Sequence, residues 1–369
     1  MLVAILFYYA SSSEVAWLFL IAYWVAALVV ASFFYALWNR GVRAELNVRG
    51  AHEAPGSPAE ELPDHVLRTG PVPAPVFEGD GLTLDLRLVS PRGTRGPARM
   101  HGGVGGVELS AAAGLIPAAG ASHLETVGPL RRGVVGAAGW ELETGDLIGL
   151  FRHRTQAADS EVALVLPRFA GLSERVHARE LEASVTAPRS GSGNELFGVR
   201  EYRPGDPLRR IHWRSSARHG ELIVREYEPP GVQTVGILCD PHPPSAEAAD
   251  QVARLAASEA WDCLRAGGRV VLWSPGCEPT RPEESRSIWP LLEWLARFPS
   301  PLRGEVAGDE GLPISLSDAI AVVASDHAAI TEALETVKRR GGSVRAWVVG
   351  EAELDVDVPV QKAGLTWPL

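Results

Sequence analysis

The chain has 369 residues and is 46 % hydrophobic, enough for two or three domains with cores of their own. Its 35 basic and 45 acidic side chains leave a formal net charge of −10, which excludes bulk nucleic-acid binding. Three cysteines, Cys239, Cys263 and Cys277, have no C-x-x-C spacing and build no disulfide framework. Each reads as a small buried apolar residue, and the low count fits a reducing compartment.

Val15 to Trp38 is a run of 24 residues without a charge. At 1.5 Å per residue it spans a hydrocarbon core of about 30 Å with room to tilt. Trp17 and Trp38 stand near its ends as interfacial anchors. Met1 to Ala10 is also apolar but too short to span as a straight helix. It is either a second helix cut short by a late start or a short segment packing on the first, so single and double passes both stay open. A cleaved signal peptide is disfavoured, because no basic stretch precedes the run and no small-x-small site comes after it. Glu14 is the only charge before the span, whereas Arg40 and Arg43 come directly after it. The positive-inside rule then places the C-terminal bulk in the cytoplasm, on an inner-membrane anchor.

From Arg43 to Phe169 the pattern is β-like. Gly81 to Val89 alternates strictly, parts of Glu161 to Leu166 do so too, and Gly and Pro break the chain often. A small antiparallel sandwich is expected. Gly102-Gly103-Val104-Gly105-Gly106 lacks both the G-x-G-x-x-G spacing and the Gly-Lys-Ser/Thr ending of a phosphate loop, and reads as a hairpin or loop. Ser190-Gly191-Ser192-Gly193 reads as a mobile lead-in to the segment that begins at Phe197.

Phe197 to Glu228 is the most distinctive stretch. Pro204-Gly205-Asp206 signals a turn, and Asp206-Pro207 an N-cap with proline at the first helical position. Leu208, Ile211 and Ser215 share one helical face, and Arg210, Arg214 and Arg218 repeat every four residues on another. Gly220 is a C-cap, and Leu222 to Glu228 a strand. Like charges at this spacing repel, so the ladder must face acidic groups. Glu201, Glu221, Glu226 and Glu228 supply them internally, or an external acidic partner does.

Beyond it, strands at Val232 to Asp240, Arg269 to Trp273, Ala319 to Ala324 and Val344 to Val349 alternate with helices at Ala246 to Ala266, Ser287 to Phe298 and Ala328 to Arg340. That alternation predicts a mostly parallel, doubly wound sheet, with ligands collecting at the C-terminal strand ends, where Asp240 lies.

Arg200-Glu201-Tyr202-Arg203-Pro204-Gly205-Asp206, then Arg210 to Arg218, which includes Trp213, then Leu222-Ile223-Val224-Arg225-Glu226 together resemble the signature of a bacterial family known as domain of unknown function 58. Asp146 to Phe151 and Leu166 to Phe169 resemble the opening of its conserved half. The resemblance implies membrane anchoring, a β-sandwich-like region, a von Willebrand factor A-like domain and a MoxR-type AAA+ ATPase as partner. It also implies where a divalent cation would bind, through Asp-x-Ser-x-Ser at the end of the first strand of that domain. Here the residues are Asp240-Pro241-His242-Pro243-Pro244, and both serine positions are lost. Ser245 and Asp250 are substitute donors of oxygen, but the site reads as degenerate and no metal or other cofactor is implied.

His212, Ser215 and Asp206 invite a triad reading. It fails because His212 and Ser215 are merely i,i+3 on one helix and Asp206 has a capping role. Trp213 beside Arg209, Arg210, Arg214 and Arg218 is better read as packing between helix and sheet than as a nucleic-acid stack. The expected class is α/β and all-β multidomain. It comprises a transmembrane anchor (1–42), a β-sandwich-like domain (43–170), and the signature with a doubly wound, von Willebrand A-like α/β domain (171–369). The expected function is non-enzymatic: a membrane-anchored adaptor for a MoxR-type ATPase in envelope-related assembly or chaperoning. Its interaction residues are Arg200, Glu201, Tyr202, Pro204, Gly205, Asp206, Arg210, Trp213, Arg214 and Arg218. The alternative is a metal-dependent or hydrolytic envelope enzyme.

Overall fold

The computed structural model describes residues 2–13, 16–71, 75–172, 196–201, 216, 223–227, 234–281, 284–299, 316–352, 354 and 356–367. The chain divides into two compact units, Met1–Arg168 and Phe169–Leu369.

In the first unit, helix α1 (Leu2–Ser13) leads into helix α2 (Ala16–Asn39). The uncharged run contains neither glycine nor proline, so nothing interrupts α2 for 24 residues, about 36 Å. It is apolar all round and exposes Trp17, Leu20, Tyr23, Trp24, Leu28 and Phe34, a surface that asks for apolar surroundings. Among the described residues it is the one helix long and apolar enough to cross a membrane. The apolar N-terminal run is α1, 12 residues that pack beside α2 with Phe7 edge-on to Tyr23 at 5.1 Å.

The last residue of α2 fastens the helix to the neighbouring strands. Asn39 is fully buried. Its amide donates to the carbonyls of Pro97 (2.7 Å) and Gly145 (2.8 Å), and its oxygen accepts from the Gly96 N–H (2.9 Å). Arg95 lies over the Trp38 ring at 5.5 Å. Asn39→Leu keeps the volume and leaves all three backbone groups without their partner. We expect it to cost about 2 kcal/mol locally, read as faster amide exchange at Gly96.

Next come β1 (Arg43–His52), the single-turn helices α3 (Pro58–Glu61) and α4 (Asp64–Leu67), β2 (Val76–Phe77) and β3 (Gly81–Val89). They are succeeded by β4 (Ala98–Val104), β5 (Val107–Ala113), β6 (Ala121–Val127), β7 (Gly133–Gly145), β8 (Arg152–Gln156) and β9 (Ser160–Leu166). One sheet runs β1-β3-β6 and the other β2-β9-β7-β4-β5, with β8 also on β7. Pairing is antiparallel throughout except between β2 and β9, which run parallel. The alternation of β3 turns Leu82, Leu84, Leu86 and Leu88 into a core shared with Met100 and Val104 of β4 and Val135 and Val165 of the same sheet. The glycine run is the β4–β5 hairpin: Gly105 and Gly106 make the turn at φ +57° and +84°. Gly102 lets Trp140 lie against the backbone, since a Cβ there would come within 2.5 Å of the indole.

In the second unit β10 (Leu196–Glu201) pairs antiparallel with β11 (Ile223–Tyr227). β12 (Thr234–Cys239), helix α5 (Ala246–Arg265), β13 (Arg269–Trp273), helix α6 (Ile288–Arg297), β14 (Asp318–Val323), helix α7 (Ala328–Arg339), β15 (Val344–Val349) and β16 (Val360–Ala363) then alternate. The five last strands form one parallel sheet in the order β13-β12-β14-β15-β16. Such a sheet is covered on both faces, which is why its strands are nearly continuous apolar runs. On β15, Val344, Ala346 and Val348 join Ile330, Leu334 and Val337 of α7 in one core. Trp347, pointing the other way, donates its indole N–H to Glu259 of α5 at 2.6 Å.

Candidate functional site

Chain order in the parallel sheet makes a topological switch point. β13 lies on one side of β12 and β14 on the other, so the connections diverge at the C-terminal ends of β12 and β14. Asp240 comes directly after β12 there and is fully buried. Its Oδ1 accepts from the His242 N–H (2.9 Å). Its Oδ2 accepts from the Ala324 N–H (2.9 Å), the Ser325 N–H (2.6 Å) and the Ser325 hydroxyl (2.8 Å). Four donors converge on one carboxylate, which ties the loop after β12 to the loop after β14.

The two substitute oxygen donors singled out in the sequence are engaged elsewhere. Ser245 caps α5, accepting from the Ala248 N–H at 3.1 Å, and Asp250 is buried within that helix. Among the described residues no group of three or more His, Cys, Asp or Glu side chains could hold a metal ion. The rings of His242 and His327 stack with centroids 5.8 Å apart and planes 14° from parallel. Ser325 and His327 escaped the sequence reading because they lie after a strand some 80 residues downstream. Only the β12–β14 pairing brings them to Asp240.

The signature is anchored on a two-stranded stem. Arg200 and Glu201 close β10, with Arg200 opposite Val224 and Glu201 opposite Ile223 on β11. β11 lies inside the strand expected over 222–228, whereas β10 was not foreseen. The end of β10 and the start of β11 are thus paired positions of one antiparallel ladder. Tyr202, Pro204, Gly205, Asp206, Arg210, Trp213, Arg214 and Arg218 lie outside the described residues, together with the turn and most of the helix expected there. Between Arg214 and Arg218, Ser216 is helical and buried.

All three cysteines are buried, and none is in a disulfide. Burial, reinforced by the carboxylates of Glu259, Asp318 and Asp262, pushes the Cys263 thiol up to about 12, so it has no thiolate character at neutral pH. Burial likewise pushes Glu259 up to about 7. The Trp347 hydrogen bond and the Arg345 charge pull it back, and Asp262 adds to the rise. That cluster lies inside the unit, under α5, and holds the helix to the sheet.

With this geometry in place, three comparisons bear on kinship. A family model described as "Protein of unknown function DUF58" matches residues 198–345, from β10 into β15. The "Uncharacterized protein YeaD" of Bacillus subtilis (strain 168) is 27 % identical over 165 residues, which cover 44 % of this chain. They span 39 % of that relative's length. Among solved structures, the crystal structure of a Paenibacillus sp. cycloisomaltooligosaccharide glucanotransferase complexed with cycloisomaltoheptaose aligns over 74 % of this chain and 51 % of its own. Its sequence identity is 9 % and its TM-score 0.18, too low to bear on fold or function.

Proposed function

We propose that this protein is an inner-membrane adaptor with its bulk in the cytoplasm, and that it works by binding rather than catalysis. Its partner is an acidic surface on a MoxR-type AAA+ ATPase, and its work is envelope-related assembly or chaperoning. The observation that carries this reading is the β10–β11 stem, at which the match to the DUF58 model begins. β10 and β11 pair with each other, Glu201 opposite Ile223, on either side in sequence of Arg210, Arg214 and Arg218. Charge-assisted pairs between these arginines and an acidic face give specificity and a fast encounter. The α2 helix supports the anchor, and Arg40 and Arg43 immediately after it support the cytoplasmic side. The parallel sheet, with a carboxylate at the end of its first strand, supports a von Willebrand A-like platform. The engagement of all the Asp240 oxygens with protein donors favours a structural role for that residue.

The test is a binding titration of the full chain in lipid nanodiscs against the MoxR-type ATPase of the same cell, with and without ATP. Saturable binding that responds to nucleotide is expected. The double reversal Arg210→Glu with Arg214→Glu should weaken it about tenfold or more, as loss of two charge pairs implies. Circular dichroism of the variant should match the parent. Unchanged affinity would overturn the reading, and so would a variant that loses its fold, because the arginines would then be satisfied internally.

A further inference from the structure

The turn between β7 and β8 displays what a soluble surface rarely does. Asp146-Leu147-Ile148-Gly149-Leu150-Phe151 exposes Leu147 (65 %), Ile148 (58 %) and Leu150 (51 %) in four consecutive residues. The turn is nonetheless well built. The Asp146 carboxylate accepts the N–H groups of Ile148 (3.0 Å) and Phe151 (2.6 Å), and Gly149 takes φ +81°. The same turn is fixed to α2. The Ser32 hydroxyl donates to Asp146, and Phe33 meets Phe151 edge-on at 5.5 Å.

This attachment sets a depth. Ser32 lies seven residues before Asn39, about 10 Å along the helix from the junction with the strands. The 24 residues of α2 exceed a core of about 30 Å by about 6 Å, or four residues. Even with that whole surplus at the C-terminal end, the hydrocarbon begins near Tyr35, and Ser32 and Phe33 lie inside it. The turn lies beside them, so it lies inside too.

We infer that the Leu147–Leu150 turn inserts into the acyl boundary of the lipid bilayer beside α2, as a second membrane contact that seats the first unit on the membrane surface. The proposal rests on the reading of α2 as a spanning helix. The chemistry fits the occupant. Three aliphatic side chains meet acyl chains, and the carboxylate of the turn itself, Asp146, already has donors from Ser32, Ile148 and Phe151. Arg99 and Arg152 are exposed on the cleft that Leu147, Ile148 and Glu143 also line; Arg152 pairs with Glu143 at 3.3 Å, which leaves Arg99 as the cation placed for a phosphate.

The experiment uses the full chain in vesicles of phosphatidylcholine and phosphatidylglycerol, with one nitroxide label per sample. Labels go at Ile148→Cys, at Trp24→Cys within α2, and at Leu124→Cys on the exposed face of β6. The native cysteines are buried. Collision with dissolved oxygen and with a water-soluble nickel chelate is read at each. Insertion predicts that position 148 behaves like position 24, open to oxygen and closed to nickel, while position 124 is open to nickel. Nickel access at 148 equal to that at 124, with 24 still protected, overturns insertion and leaves the anchor standing. Position 148 closed to both reagents also overturns it, in favour of contact with a second copy. Nickel access at position 24 overturns the anchor itself, and insertion with it.

Discussion

Asp240→Ala is expected to destabilise the C-terminal unit by about 4 kcal/mol, since hydrogen bonds to a charged acceptor contribute about 1.5–3 kcal/mol each and four are lost. The sum is not simple. The Ser325 hydroxyl can turn to the His242 carbonyl at 3.4 Å, and the more exposed N–H groups regain water. The Ala324 N–H cannot, because Ala324 is buried. A chain with two units need not unfold in one step, so the measurement is local. Amide exchange at His242, Ala324 and Ser325 should accelerate far more than at β16, the opposite edge of the sheet. Ser325→Ala, which removes one donor, should cost about 1 kcal/mol. Unchanged exchange at Ala324 in the alanine variant would mean that Asp240 does not hold the two loops together.

The second large effect is a pH dependence that Glu259→Gln removes. Glu259 is fully buried and its ionisation is raised from 4.5 to about 7. Below the lower value the carboxyl is protonated in both folded and unfolded chains and costs nothing. Between them the unfolded chain releases its proton and the folded one keeps it, so stability falls as pH rises. Above 7 the loss is complete, at about 3 kcal/mol for a difference of this size. Glutamine keeps an oxygen for the Trp347 N–H and has no proton to lose. Facing the same group are Arg345, which stabilises its charge, and Asp262, which opposes it. The variant should therefore gain on the parent by about 3 kcal/mol between pH 4.5 and pH 8, read by urea unfolding of the C-terminal unit at each pH. Parallel stability profiles for the two proteins would show that folding does not raise the Glu259 pKa.

Regular stretches of the fold were legible. Gly81 to Val89, Arg269 to Trp273 and Val344 to Val349 are strands over the ranges their patterns predict. The uncharged run is α2 and the helix expected from Ala246 is α5. Strands with weak patterns were not. β7 passes through Val134-Val135-Gly136-Ala137-Ala138-Gly139-Trp140, where glycines and alanines give no clear apolar alternation to read. β10 is a strand by virtue of its partner β11, and β16 is a four-residue edge. In both, pairing outweighs propensity.

The site divides along the same line. The sequence by itself determined a spanning-length helix, a parallel α/β sheet, an aspartate at the end of its first strand and an arginine ladder just before it. The helix, the sheet and the aspartate are local matters of runs, periods and turns, each set by residues a few positions apart, whereas the arginine ladder is a spacing in the sequence that lies outside the described residues. Tertiary structure decided which groups meet. Strand order carries Ser325 to Asp240, 85 residues back, and Trp347 to Glu259, 88 residues back. The docking of α2 carries Asp146 to Ser32, 114 residues away. A carboxylate is stable in an interior only where donors converge on it, and those donors come from whichever element the fold places next door, which no local spacing encodes.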